Sequence, residues 1–236
     1  MKQKKRIAVL ASAAIFTFGL SGAWAYFNMK KTVSLDVSPE KMNIAIDESA
    51  FKLSTEPMVP GDLEPLQLTV TNEGKRDVKI AAEVTIQSAE PLDEDSIEWF
   101  IASETLKNSF GNGEVIYSLP KTDTEEVTLD NSKDSVQFLS KGAADTNNEI
   151  HSVTFLVSGG KLLGTNSADY ENSKSLDLSF WLALASKTDN DFQGTACSVT
   201  ADVYAVQADH TDDIAWYKLK SSAGTEKVGA AEVGTA

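Results

Sequence analysis

Apolar and polar residues alternate with period two through most of this chain, and that pattern limits the fold more than any other feature. Val78, Ile80, Ala82, Val84 and Ile86 form one run, and Leu176, Leu178, Phe180, Leu182 and Leu184 form a second. Cys197, Val199, Ala201, Val203 and Ala205 form a third. Shorter runs are Val33-Leu35-Val37, Met42-Ile44-Ile46 continuing to Phe51 and Leu53, Leu66-Leu68-Val70, and Val153-Phe155-Val157. Successive side chains of a strand point to opposite faces, so each run supplies one core face and one wetter face. Several such half-polar strands predict an all-β protein, a jelly-roll-like antiparallel β-sandwich.

The punctuation agrees. Pro60-Gly61-Asp62 precedes the strand beginning near Leu66, and Asn72-Glu73-Gly74-Lys75 separates it from the strand beginning at Val78. Asn and Gly tolerate positive φ, and a loop this short between alternating runs reads as a hairpin. Residues 88–150 lose the alternation and read as a helical and irregular insertion. Within it, Ile97, Phe100 and Ile101 stand at helical spacing behind the acidic Asp93-Glu94-Asp95, which predicts a helix from about Asp93 to Lys107. Trp181 faces opposite to Phe180, so either both faces of that strand are buried or the insertion covers Trp181. The tail, 211–236, is rich in Ala, Gly and Thr without periodicity and is expected to be flexible, with Trp216 and Tyr217 as residues able to dock.

The first residues carry a different signal. Lys2, Lys4, Lys5 and Arg6 precede an apolar run from Ile7 to Leu20, and small residues follow up to Ala23-Trp24-Ala25. Basic, apolar, then A-x-A is the layout of a secretory signal peptide, with Tyr26 as the expected mature N-terminus. At 14 residues the apolar run is short for a membrane span. The expected organisation is therefore a signal peptide over 1–25, an N-terminal segment over 26–38, a sandwich domain over 39–210 and the tail. The expected location is outside the cell, in an extracellular matrix or at the cell surface. Cleavage removes four basic residues and no acid, leaving 17 basic against 35 acidic residues and a net charge of −18. Such a surface repels nucleic acid, so no nucleic-acid partner is expected.

Signatures of catalysis are missing. Neither H-E-x-x-H nor G-x-S-x-G occurs, and there is no phosphate-binding glycine loop. His151 and His210 lie 59 positions apart, without a ligand pattern around either, so neither a catalytic residue nor a metal or cofactor is expected. His210 lies among Asp209, Asp212 and Asp213, which reads as a solvated strand end more readily than as a metal site. Cys197 is the sole cysteine, so no intrachain disulfide forms. Its place in an alternating run marks it as a small buried hydrophobe.

Three pieces, in order over residues 22–210, resemble the TasA/camelysin family of secreted bacterial surface proteins. They are Gly22-Ala23-Trp24-Ala25-Tyr26-Phe27-Asn28; Pro60-Gly61-Asp62 with Leu66 to Gly74 and Asp77 to Ile80; and Asn190-Asp191-Phe192-Gln193-Gly194 before the last alternating strand. The 88–150 insertion carries no motif that aligns with the family, and Glu64-Pro65 replaces charged residues often found in the family after the Pro-Gly-Asp turn. The resemblance implies a non-enzymatic structural subunit of extracellular biofilm-matrix fibres, processed by a dedicated signal peptidase at Ala23, Ala25 and Tyr26. It also implies head-to-tail self-assembly by donor-strand complementation, with minor matrix or anchoring proteins as further partners. The candidate donor is Tyr26–Ser38, inserting Val33, Leu35 and Val37 into the next subunit; an ordinary first strand within its own subunit is the simpler alternative. The physics is general: a sheet edge carries unpaired N–H and C=O groups that an extended segment satisfies. Some family members are labelled metalloproteases, so a camelysin-like surface metalloprotease is one alternative and a monomeric surface adhesin another.

Overall fold

A computed structural model describes residues 43–54, 58–92, 98–104, 107, 127, 135–188, 195–208, 216, 219 and 224–233. The described residues form an all-β sandwich of two antiparallel sheets. One contains β1 (Ile44–Asp47), β2 (Leu63–Asn72), β4 (Trp99–Ala102) and β7 (Ser175–Leu184), in the order β1-β2-β7-β4. The other contains β3 (Val78–Leu92), β5 (Ser135–Lys141), β6 (Ile150–Leu162), β8 (Cys197–Gln207) and β9 (Gly224–Val233), in the order β5-β6-β3-β8-β9. The chain changes sheet after β2, β3, β4, β6 and β7, so strands adjacent in sequence are mostly not paired, as in a jelly roll.

The alternation sets the core. Leu66, Leu68 and Val70 of β2 stand opposite Phe180, Leu178 and Leu176 of β7. Val78, Ile80, Ala82, Val84 and Ile86 of β3 lie between their β6 and β8 partners, and together with the inward residues of the other sheet they form one buried cluster. Each fully buried Leu, Ile or Phe contributes roughly 1.5–3 kcal/mol. Cys197 lies in this cluster beside Val199, Ala201 and Val203, as its run predicts. Where β6 passes Ile80 and Ala81 it bulges at Gly159, and Gly160 has a φ of 85°. A Cβ on Gly159 would stand 3.1 Å from Leu178 Cδ1 of the facing sheet, so the missing side chain leaves room for Leu178 against the β6 backbone.

Four expectations need correction. Residues Trp99–Ala102 are a strand, not helix: they pair with β7 from Trp99↔Leu184 to Ala102↔Trp181 and are buried on both faces. Burial on both faces removes the alternation, and a short apolar run without alternation does not distinguish strand from helix. Helical backbone appears just beyond, at Glu104 and Lys107, where Lys107 N–H donates to Ser103 C=O at 2.8 Å; Asp93–Ile97 lie outside the described residues. The second correction concerns 88–150 as a surface insertion, because it supplies the end of β3 and all of β4 and β5 to the two sheets. It also covers Trp181, whose ring has Lys107 Nζ 4.5 Å from its centroid.

The third correction concerns Asn72-Glu73-Gly74-Lys75, which is a corner between sheets and not a hairpin, since β2 and β3 share no pairing. The fourth concerns the tail. Gly224–Val233 closes the second sheet as β9, in register from Cys197↔Val233 to Ala205↔Gly224. Upstream of it, Trp216 and Leu219 are buried on the outer face of that sheet with Ala81, Leu156, Tyr204 and Val206. Glu83 is the polar centre of this second cluster. Its carboxylate accepts Trp216 Nε1–H at 2.7 Å and Tyr204 O–H at 3.1 Å. Burial, reinforced by the Glu83 carboxylate, pushes the Tyr204 phenol well above its usual range, so it remains a donor.

Candidate functional site

An open strand edge is the feature of this sandwich most able to engage a partner. β2 is ten residues long and β1 four, and β1 covers only Thr69 to Asn72. From Leu63 to Leu68, β2 is paired with β7 on one side and has no strand on the other among the described residues. That length of edge suits an extended segment of about six residues. β1 is itself at the rim of the sheet, paired only with β2 among the described residues. Phe51, Leu53 and Met58, from the connection between β1 and β2, are buried in the main core, and Phe51 meets Phe180 edge-on with ring centroids 6.1 Å apart. Beside them Val59 is 53% exposed, an unusual position for a large hydrophobic residue here.

The Pro-Gly-Asp turn fixes the start of that edge. Gly61 has a φ of 101°, a left-handed conformation that residues with a Cβ rarely adopt. Asp62 Oδ2 accepts Val59 N–H at 2.8 Å, and Asp62 N–H donates to Val59 C=O at 2.9 Å. Gly61 N–H donates to Leu184 C=O at 2.9 Å, which attaches the turn to the end of β7.

At the opposite end of β2, Asn72 and Asp77 build the corner between the sheets. The buried Asn72 side chain donates to Arg76 C=O at 2.8 Å and Leu163 C=O at 3.0 Å, and accepts Gly74 N–H at 2.9 Å. Asp77 Oδ1 accepts Gly164 N–H at 2.9 Å and Ser167 Oγ–H at 2.7 Å, while Oδ2 meets Lys161 Nζ at 2.8 Å. The Lys161 ammonium and then the Gly164 amide lower the Asp77 carboxyl to about 2. The motif residues of the first two turns thus have structural tasks: they fix how the chain enters β2 and how it leaves for the other sheet.

No nucleophile is poised among the described residues. Cys197 is buried, and burial pushes its thiol well above the ordinary range, away from the reactive thiolate. His151, at the start of β6, has company that its sequence neighbourhood did not suggest. The β5–β6 loop brings Asp145 Oδ2 to 3.7 Å and Glu149 Oε2 to 3.9 Å from His151 Nε2. Sequence reasoning missed this trio because it sought local metal motifs. The usable signal was D-x-x-x-E-x-H straddling the polar Thr146-Asn147-Asn148, a turn that folds the spacing back on itself.

The other expected site residues lie outside the described residues: Ala23, Ala25 and Tyr26 of the cleavage site, Val33, Leu35 and Val37 of the donor segment, and His210. So does Asn190–Gly194 of the third motif. No helix among the described residues is long and apolar enough to cross a membrane. Comparison of the chain with protein-family models and with curated proteins finds no match.

Proposed function

We propose that this protein is a secreted, non-enzymatic structural subunit of extracellular biofilm-matrix fibres, joined head-to-tail by donor-strand complementation. The observation that carries the reading is the Leu63–Leu68 edge of β2, which pairs with no strand but β7 among the described residues, beside the short rim strand β1. The candidate donor, Tyr26–Ser38, precedes β1 in the chain and carries Val33, Leu35 and Val37 at the alternate positions that an inserted strand places toward a core. An edge on one subunit and a segment on the next form a contact that does not close on itself, which gives an open filament. The resemblance to the TasA/camelysin family points the same way. Export through the leader and processing before Tyr26 belong to the same proposal.

The test is electron microscopy of the processed protein with Leu35→Asp beside the parent chain. A carboxylate placed where a desolvated methyl group belongs costs several kcal/mol per contact. The expected result is a folded, exported monomer that forms no fibres. An unfolded Leu35→Asp monomer would instead make the segment a strand of its own subunit, and unchanged fibres would move the donor elsewhere.

A further inference from the structure

We propose that Asp145, Glu149 and His151 form a binding site for a divalent transition-metal ion of the zinc class, on the β5–β6 hairpin. The proposal is independent of the fibre reading, since the hairpin belongs to the five-stranded sheet and the open β2 edge to the other. One ligand atom from each of the three side chains lies within 4.8 Å of the other two. At 3.7 and 3.9 Å from His151 Nε2, the two carboxylates stand at ion-pair distance, longer than a good hydrogen bond. Ligands on a common zinc ion at about 2.0–2.2 Å in tetrahedral array lie roughly 3.4 Å apart. Side-chain shifts of up to about 1.4 Å therefore bring the three together on one ion.

The two oxygens of Asp145 have different tasks. Oδ1 accepts the backbone N–H groups of Asn147 at 2.8 Å and Glu149 at 2.9 Å, which fixes the carboxylate plane. Oδ2 is thereby held toward His151. A first ligand oriented by backbone donors through its second oxygen is the arrangement that supports metal affinity. Side-chain exposures of 30% for His151, 36% for Asp145 and 43% for Glu149 leave the gap open to an incoming ion and to water as a fourth ligand. One imidazole with two carboxylates selects against Ca²⁺ and Mg²⁺, which take oxygen ligands, and suits Zn²⁺ and its first-row neighbours.

The experiment is calorimetric titration of the full chain with zinc chloride, paralleled by the visible spectrum of the cobalt(II) form. The parent chain is expected to bind one equivalent. Asp145→Asn keeps an Oδ1 acceptor for both amides but replaces Oδ2 with an NH₂ group, so the turn survives and the ligand is lost. It and His151→Ala should each weaken binding about tenfold or more, while His210→Ala leaves it unchanged. Circular dichroism reports whether each variant is folded, and Asp145→Asn decides the matter if His151→Ala is not. Zinc binding that is undetectable in the parent chain, or equally strong in Asp145→Asn, overturns the proposal.

Discussion

The two outer faces of the sandwich differ, although their strands share one period. On the four-stranded sheet, β2 alternates from Leu66, as does β7 from Leu178 to Trp181, and the outer face is wet where they pair along Thr69–Thr71. There Thr69 Oγ1 donates to Asp177 at 2.7 Å, and Thr71 and Ser175 share a hydrogen bond of the same length. On the five-stranded sheet the outward positions of β3, β6 and β8 include Ala81, Leu156, Tyr204 and Val206, which Trp216 and Leu219 cover. Alternation thus marks a strand reliably but does not say whether its second face meets water. That depends on which distant segment returns to lie on it. Here the covering segment is one whose own sequence has no period, and its anchor is a polar group, Glu83, buried because two donors converge on it.

The covered face offers the largest effect. Trp216→Ala removes a buried indole and leaves Glu83 with one fewer donor, so stability to denaturant should fall by about 3–5 kcal/mol. A loss below about 1 kcal/mol would mean that the cover is an ornament and that the two faces are energetically alike. An intermediate effect belongs to the corner joining the sheets. Asp77 titrates at about 2 when folded, against an ordinary value of 3.8, so the folded state favours its ionised form. The resulting stability is fully present above about pH 5 and is lost as pH falls through 3.8 towards 2. It amounts to at most about 2 kcal/mol, reduced by solvent screening because Asp77 is partly exposed. Asp77→Asn should lower stability at pH 7 and flatten its decline between pH 5 and 2; an unchanged acid limb would assign that decline to other carboxylates. The wet face offers the smallest effect. Thr69→Ala deletes one exposed hydrogen bond to Asp177 and should cost about 0.5 kcal/mol. A loss near that of Trp216→Ala would show that this face also is covered.

Much of the framework was legible. The runs at 66–70, 78–86, 153–157, 176–184 and 197–205 are strands, and their apolar positions point into one core. Cys197 fell on the buried face because it is in phase with Val199 and Ala201. The misses share a cause. Trp99–Ala102 hid its strand character through burial on both faces, β5 stood among polar residues as a rim strand, and β9 mixes small and charged residues without a sustained apolar alternation. Of the candidate sites, the open edge needed knowledge of which strands pair. The Asp145–Glu149–His151 trio needed the turn that brings position 145 beside position 151.

The sequence by itself determined the all-β class, where β2, β3, β6, β7 and β8 run and which side of each meets the core, because side-chain direction in a strand depends only on parity along the backbone. Tertiary structure alone decided partnership. Pairing, sheet membership and cover are set by backbone hydrogen bonds and by burial between segments far apart in the chain, and local periodicity carries no record of either. That is why Asn72-Glu73-Gly74-Lys75, a hairpin by local reading, is a corner between two sheets, and why a tail without a pattern provides both the lid of a second core and the last strand of a sheet.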